Sequence, residues 1–248
     1  MATDDGYFDE AAAASYDENT AERFSPGVLG PTVDLIAGLA GDGSVLEFGI
    51  GTGRVAMALS QRGIPVSGIE LSRAMVSKLR EKPGSDAIQV TIGDMATTTV
   101  GASFRVVYLV FNTIMNLTTQ SAQVACFRNA SAHLEPGGCF VIECLVPELR
   151  RLPPGETFHV FHGSDGYWGI DEYDTVTQSL VSHHVSDVNG RFDRWSMPAR
   201  YVWPSELDLM AELAGLSVRE RWSDWNREPF TAESYAHISV WQKTAARR

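Results

Sequence analysis

A glycine-rich segment next to an acidic residue has the composition of a ligand-binding turn. It reads Val45-Leu-Glu-Phe-Gly-Ile-Gly-Thr-Gly53, a short apolar run that ends in three glycines at alternate positions. Glycine adopts positive φ without strain and lets the backbone approach a bound molecule closely. The apolar run predicts a strand and the residues after it predict a helix, so the turn falls where open α/β sheets bind ligands. We expect Gly49, Gly51 and Gly53 to contact a cofactor.

The glycines alone are compatible with two classes of cofactor. Counted from Gly49, the dinucleotide pattern G-x-G-x-x-G/A fails, because the sixth residue is Arg54. Counted from Gly51 it is satisfied by Ala56. Glu47 shifts the balance, because a carboxylate in this place repels a pyrophosphate but accepts a hydrogen bond from an α-amino group. A nicotinamide-dependent oxidoreductase stays a second hypothesis, for which we can place no hydride-transfer residues.

Two further strand ends carry side chains suited to a nucleoside. Glu70 ends the predicted second strand, about 20 residues further on, where a carboxylate can accept hydrogen bonds from both ribose hydroxyls. Asp94 follows the third strand and can accept a hydrogen bond from an adenine amine, while Met95 packs on the ring. Leu71 and Val110 complete the predicted cofactor site.

The elements that position these residues alternate between strand and helix. This alternation predicts βαβ units and, because crossovers are right-handed, a parallel sheet. The last two strands, at about 216–222 and 235–242, are joined by a loop and should pair antiparallel. The predicted parts are an N-terminal helical cap at 1–43 (helices at 9–24 and about 28–39), a core at 44–145 and 204–248, and an inserted antiparallel β lid at 146–203.

The segments Glu47-Phe-Gly-Ile-Gly-Thr-Gly53, Glu70 and Gly93-Asp94-Met95, in this order, resemble the class I S-adenosylmethionine-dependent methyltransferases. The resemblance implies an α/β fold with a Rossmann-like, doubly wound, seven-stranded sheet whose last strand is antiparallel. It also implies S-adenosylmethionine as cofactor, with methionine over the glycine loop, ribose on Glu70, and adenine near Asp94 and Met95.

A narrower resemblance concerns the small-molecule methyltransferases of actinobacteria, including N-methyltransferases of amino sugars and of lincosamide antibiotics. The segments that carry it are Tyr7-Phe8, Ser15-Tyr16-Asp17 and Phe111-Asn112-Thr113, together with the β insertion. In such enzymes the N-terminal segment closes over the site.

That closure makes Tyr7 and Tyr16 candidates for positioning the substrate. Tyr16 can hydrogen-bond the methionine carboxylate, and Arg23 can pair with it. The alternative for Tyr16 is that it only packs against a helix, and the alternative for Arg23 is that it is a solvated surface charge. The crevice after the fourth strand supplies further candidates, for which turn chemistry is an alternative explanation of the two asparagines: Asn112, Met115 and Asn116.

Two adjacent histidines in the lid should point to opposite faces if their segment is a strand. For His183 and His184 we favour a histidine that is hydrogen-bonded within the lid or faces solvent. The alternative is that one of the two lines the pocket as a base. The aromatic residues of this region should form the core of the lid, and some should wall an apolar pocket: Phe158, Phe161, Tyr167, Trp168, Tyr173, Trp195 and Trp203.

Composition limits the partners. The formal net charge of −11 argues against nucleic acid and an anionic membrane surface and is compatible with a cationic amine. Three cysteines without a ligand-like spacing predict neither disulfides nor a metal site. No long apolar run and no signal-peptide pattern are visible, so we expect a cytoplasmic protein. A homo-oligomer is compatible with the sequence.

The function predicted from these residues is methyl transfer to a small-molecule acceptor, with nitrogen slightly favoured over oxygen. Positioning is expected to supply most of the rate, because the sulfonium is intrinsically reactive. A cofactor-binding scaffold that has lost catalysis is the non-enzymatic alternative.

Overall fold

The computed structural model describes residues 6–164, 166–188 and 190–244. The helices are α1 Glu10–Asn19, α2 Pro26–Ala40, α3 Arg54–Gln61, α4 Arg73–Arg80, α5 Gln120–His133 and α6 Pro204–Leu213. The strands are β1 Val45–Phe48, β2 Val66–Glu70, β3 Gln89–Ile92, β4 Phe104–Leu109, β5 Leu134–Leu145, β6 Phe158–Ser164, β7 Tyr167–Asp174, β8 Ser179–Val188, β9 Arg191–Arg200, β10 Leu216–Trp222 and β11 Ala236–Lys243.

Seven strands form one sheet in the order β10-β11-β5-β4-β1-β2-β3. Strands β5, β4, β1, β2 and β3 are parallel to one another, and β11 is antiparallel to both β5 and β10. The predicted doubly wound seven-stranded sheet with an antiparallel end is therefore confirmed. Its carboxyl edge collects the ends of β1, β2, β3 and β4, where the predicted cofactor residues lie.

Helices cover both faces of this sheet, so its strands are buried on two sides. One cluster, on the α2 and α3 side, includes Ile36, Leu59 and Val106. The other, on the α5 and α6 side, includes Phe127 and Trp241. This second cluster also takes in three residues from the base of the lid: Tyr173, Leu180 and Ala199.

The lid is a separate four-stranded antiparallel sheet in the order β6-β7-β8-β9. The expected antiparallel insertion is thus confirmed, and its strands lie within the predicted range. Strand β8 begins only at Ser179, because the Asp174 carboxylate accepts hydrogen bonds from the Val176 amide and the Thr177 hydroxyl and closes a turn before it.

The expected aromatic core of the lid is wrong. Only Tyr173 of that group is deeply buried, and Phe158 and Phe161 are 54 % and 41 % exposed. The lid is a single sheet, and only one end of one of its faces packs on the body of the protein. Its other face meets solvent, so the aromatic side chains have no second layer to bury them.

The predicted helix at 9–24 is divided in two. The Thr20 hydroxyl donates to the Tyr16 carbonyl at the end of α1, and a short 3₁₀ turn follows at Ala21–Phe24. Pro26 then begins α2 earlier than predicted, because proline at the first helical position needs no amide partner.

Candidate active site

The turn after β1 has the positive-φ geometry that its glycines permit. Gly49, Gly51 and Gly53 all have positive φ, at 66°, 55° and 81°. A Cβ on Gly53 would lie 2.3 Å from the Leu79 side chain, so close packing on α4 also requires glycine there. The Gly49 amide donates to the Ile69 carbonyl at 2.8 Å and joins the turn to β2.

Glu70 lies beside this turn at the end of β2. Its carboxylate accepts hydrogen bonds from the Gly51 amide at 2.7 Å and from the Ser72 amide at 2.9 Å. Leu71, which follows it, is 42 % exposed and offers an apolar surface at the same edge. A carboxylate fixed at this position can also accept hydrogen bonds from a diol.

Glu47 lies beneath the turn and is almost inaccessible, with 2 % of its surface exposed. The Tyr108 hydroxyl donates to its carboxylate at 2.9 Å. Burial raises the pKa of Glu47 to about 8, an effect opposed by the hydrogen bond from Tyr108 and by the charge of Arg54. The environment therefore disfavours a negative charge until a cation arrives, and the predicted contact with an α-amino group would supply one.

The end of β3 places an exposed carboxylate next to a buried methionine. Asp94 accepts a hydrogen bond from the Ala96 amide at 2.7 Å through one oxygen. Met95 is buried, and its carbonyl accepts a hydrogen bond from Asn129 at 2.8 Å. The assignment of both residues to adenine stays a prediction.

Helix α1 is anchored on the glycine turn by side-chain contacts that the sequence does not predict. The Thr52 hydroxyl donates to Asp17, and Lys82 forms an ion pair with the same carboxylate. Farther forward, the Ser72 hydroxyl donates to the Phe8 carbonyl. The N-terminal segment is therefore fastened across the ends of β1 and β2, and no local sequence pattern signals contacts between such distant positions.

Tyr16 and Arg23 both lie at this edge. The Tyr16 pKa is raised by burial and, more weakly, by Glu70 and Asp17, while Arg54 and Arg23 oppose the shift. Its ring lies 6.1 Å from that of Phe8 in an edge-on contact. The Arg23 guanidinium lies 3.7 Å from the centroid of the Phe111 ring, which is a cation–π contact. Their predicted contact with the methionine carboxylate stays a prediction.

The end of β4 is held in an unusual backbone conformation. Phe111 and Asn112 have φ of 56° and 60°, which is rare outside glycine. The Asn112 side-chain oxygen accepts a hydrogen bond from the Leu145 amide at 2.8 Å, and Glu143 accepts one from the Phe111 amide at 2.7 Å. Asn112 thus fastens this turn to β5, a role the sequence did not reveal.

The other residues near this turn differ in access. Val110 and Met115 are buried, whereas Asn116 is exposed. They lie in or beside the short 3₁₀ turn Thr113–Asn116, which contacts β9 of the lid.

The lid and the N-terminal segment meet above this edge. The Tyr7 ring lies 6.1 Å from the Trp195 ring of β9. Burial, followed by the charges of Asp9 and Tyr167, raises the pKa of Tyr7 to about 12. Tyr7 therefore keeps its proton at neutral pH and can donate a hydrogen bond.

Comparison with known proteins shows the family to which the chain belongs. Residues 45–138 match the family described as a methyltransferase domain. The structure of the CcbJ methyltransferase from Streptomyces caelestis is 38 % identical in sequence, with a TM-score of 0.78 over 87 % of this chain and 89 % of that chain. A cypemycin N-terminal methyltransferase from Streptomyces sp. is 27 % identical over 97 % of this chain and 99 % of its own length.

A third relative matches part of the chain. It is the dTDP-3-amino-3,4,6-trideoxy-alpha-D-glucopyranose N,N-dimethyltransferase of Streptomyces venezuelae, 31 % identical over 59 % of this chain and 56 % of its own length. The fold, the glycine turn and these similarities define one class of enzyme. The chain belongs to the S-adenosylmethionine-dependent methyltransferases, and its methyl donor is S-adenosylmethionine. The nicotinamide hypothesis is wrong.

Two further observations concern residues 6–164, 166–188 and 190–244. None of the helices in these ranges combines the length and apolarity that crossing a bilayer requires. Nor do these ranges hold a group of three His, Cys, Asp or Glu residues arranged for a metal ion.

Proposed function

We propose that this chain transfers a methyl group from S-adenosylmethionine to an amine nitrogen of a small natural-product molecule. The observation that carries the proposal is the contact between Tyr7 and Trp195, because it joins the N-terminal segment to the lid above the glycine turn. Phe8, next to Tyr7, is in turn fastened to Ser72, two residues after Glu70. A crevice roofed from two sides suits a small acceptor.

The preference for nitrogen rests on two supports. The names of two relatives describe methylation of a peptide N-terminus and of a sugar amine. The formal net charge of −11 favours a cationic acceptor over an anionic one. Methylation of a hydroxyl group is the competing outcome.

The proposed cofactor site fits a nucleoside joined to an amino acid. Glu70 would accept both ribose hydroxyls, Asp94 and Met95 would hold adenine, and Tyr16 with Arg23 would bind the methionine carboxylate. The remaining members of the proposed cofactor site are Glu47, Gly49, Gly51, Gly53, Leu71 and Val110.

The residues of the chain act by holding the reactants. When bound, S-adenosylmethionine supplies a reactive sulfonium methyl group. Tyr7 and Tyr16 orient the acceptor from the N-terminal side, and holding two reactants in line supplies most of the rate. The proposed acceptor side also includes Asn112, Met115 and Asn116.

The test is a panel of acceptors incubated with S-adenosylmethionine and analysed by mass spectrometry. The panel contains a short peptide with a free α-amino group, an aminodeoxysugar nucleotide, and the N-acetylated form of each as a matched control. We expect methylation of at least one free amine and of neither acetylated control. Equal methylation of an acetylated control would assign the reaction to a hydroxyl group and overturn the proposal.

A further inference from the structure

One face of the lid carries a continuous row of hydrogen-bonded side chains. The Tyr167 hydroxyl on β7 bonds with Nδ1 of His184 on β8. Nε2 of His184 lies 3.2 Å from the Ser182 hydroxyl oxygen. Ser182 lies directly across from Asp171 on β7, which places its hydroxyl beside the Asp171 carboxylate, and Ser182 and Tyr173 both favour the ionised form of that carboxylate.

The protonation states give this row a direction. His184 is 9 % exposed and stacks on Trp195 with the ring centroids 3.4 Å apart. Burial, with a smaller effect of His183, lowers the pKa of His184 to about 4, so the ring is neutral at pH 7. A neutral imidazole has one donor and one acceptor nitrogen, and an ionised carboxylate only accepts.

It follows that Ser182 donates to Asp171 and His184 Nε2–H donates to Ser182. Nδ1 of His184 must then accept from Tyr167. The Tyr167 oxygen then keeps lone pairs with which it can accept a hydrogen bond from a further donor. It does so near Tyr7, whose pKa responds to Tyr167 and whose ring contacts Trp195. The row therefore runs from the proposed acceptor crevice into the lid.

We propose that this row removes the proton of the acceptor ammonium before methyl transfer, with Tyr167 as the residue that touches the acceptor. The ammonium gives a proton to the Tyr167 oxygen, whose own proton moves to Nδ1 of His184. The proton on Nε2 moves to Ser182, and the Ser182 proton moves to Asp171. The nitrogen keeps its electron pair, and Asp171 becomes a neutral acid.

The location of Asp171 suits it to the end of the row. Burial raises its pKa above the ordinary range, so it takes a proton more readily than a surface aspartate. His184, Ser182 and Asp171 act through Tyr167 and are positioning residues. The other titratable groups near the row are His159 and His162 on β6, Tyr173 on β7, Tyr235, and Tyr7 and Asp9 of the N-terminal segment. His183 lies on the other face of β8 and acts on the row only through its charge.

The inference rests on the proposed amine acceptor, and the test compares Asp171→Asn with the unsubstituted enzyme. The probe is whichever free amine of the panel is methylated fastest. At neutral pH we expect kcat/KM to fall about hundredfold, which is the lower range of general base catalysis. The deficit should close at a pH above the pKa of the amine, because a free amine needs no base.

The matched control is His183→Gln. His183 lies on the opposite face and bonds with Glu172 at 3.1 Å and Ser196 at 2.8 Å. It should keep the wild-type pH profile, and both variants should bind S-adenosylhomocysteine normally. An Asp171→Asn deficit that is the same at every pH, or no deficit, would overturn the relay.

A measurement without acceptor tests the direction. The ¹⁵N chemical shifts of His184 should show the tautomer protonated on Nε2, and the tautomer protonated on Nδ1 would contradict the relay. Failure of the proposed function has a different signature: the unsubstituted enzyme would methylate hydroxyl groups and no amine. That result would reject both the proposed function and the relay. An Asp171→Asn variant with unchanged kcat/KM for a methylated amine would reject the relay alone.

Discussion

The two sheets of the molecule place a buried carboxyl group in different surroundings. Glu47 of the seven-stranded sheet is enclosed, and its neighbour across the sheet, Tyr108, is completely buried. Asp171 of the lid is partly buried and stands in a row of polar side chains that leads to Tyr167. Burial raises the pKa of both groups.

The difference follows from how each sheet is covered. Helices seal both faces of the large sheet, so the Glu47 carboxyl group is cut off from solvent and has the Tyr108 hydroxyl as its side-chain hydrogen-bond partner. The lid packs only the lower end of one face, and its polar row leads toward the proposed acceptor crevice. The large sheet is therefore suited to holding a cofactor rigidly. Four predictions test this comparison.

The largest effect is expected from Glu47→Gln on the pH dependence of stability. The folded pKa of about 8 lies above that of the unfolded chain, so the native state holds an extra proton between the two values. The stability contributed by Glu47 is complete below the unfolded pKa and is lost as pH rises through about 8. Because each pKa unit corresponds to about 1.4 kcal/mol, the loss amounts to a few kcal/mol.

Calorimetric melting from about pH 6 to about pH 9 measures this effect. The variant should lose less stability with rising pH than the wild type. Glu81→Gln is the control, because Glu81 is exposed and pairs with Lys78 on the surface. Parallel Tm curves for Glu47→Gln and wild type would show that Glu47 is ionised in the fold.

The second effect concerns the carboxylate at the end of β2. Glu70→Ala should weaken S-adenosylhomocysteine binding at least about tenfold, because a hydrogen bond to a charged group contributes roughly 1.5–3 kcal/mol. Glu70→Gln retains an acceptor for the Gly51 amide and separates loss of turn geometry from loss of charge. An unchanged Kd in a folded Glu70→Ala variant places the ribose elsewhere.

The third effect concerns the N-terminal segment. Tyr7→Phe and Tyr16→Phe should lower kcat about ten- to hundredfold through loss of orientation. Single-turnover kinetics with a methylated amine of the panel measure it. Complete loss of turnover in Tyr16→Phe with intact cofactor binding would indicate a required base and favour a hydroxyl acceptor. Full turnover and full acceptor affinity in both variants would remove this segment from the site.

The smallest effect is expected in the lid wall. Trp195→Ala removes the ring that contacts Tyr7, and an aromatic pair contributes about 0.5–1.5 kcal/mol, so KM should rise about two- to tenfold. Phe192→Ala is the matched control, because Phe192 is 61 % exposed and packs on Trp168 instead. An equal change of KM in both variants would mean that the lid acts through stability and not through the crevice.

Much of the cofactor half was predictable because its signals are local. The glycines that permit positive φ, the Ser72 side chain that caps α4 and Thr119 that caps α5 all act within a few residues. The alternation of strands and helices likewise fixed the parallel order of the large sheet. His183 and His184 lie on opposite faces of the lid sheet, as the two-residue period of a strand predicts.

What only the tertiary structure decided depends on residues far apart in the chain. The attachment of Asp17 to Thr52, the contact of Asn112 with Leu145 and the row from Tyr167 to Asp171 have no local pattern. Each depends on strand register or on how a loop crosses a sheet. Composition and spacing determined which chemistry this chain carries, whereas long-range pairing decided which side chains stand together, because the energy of such contacts exists only once the sheets have formed.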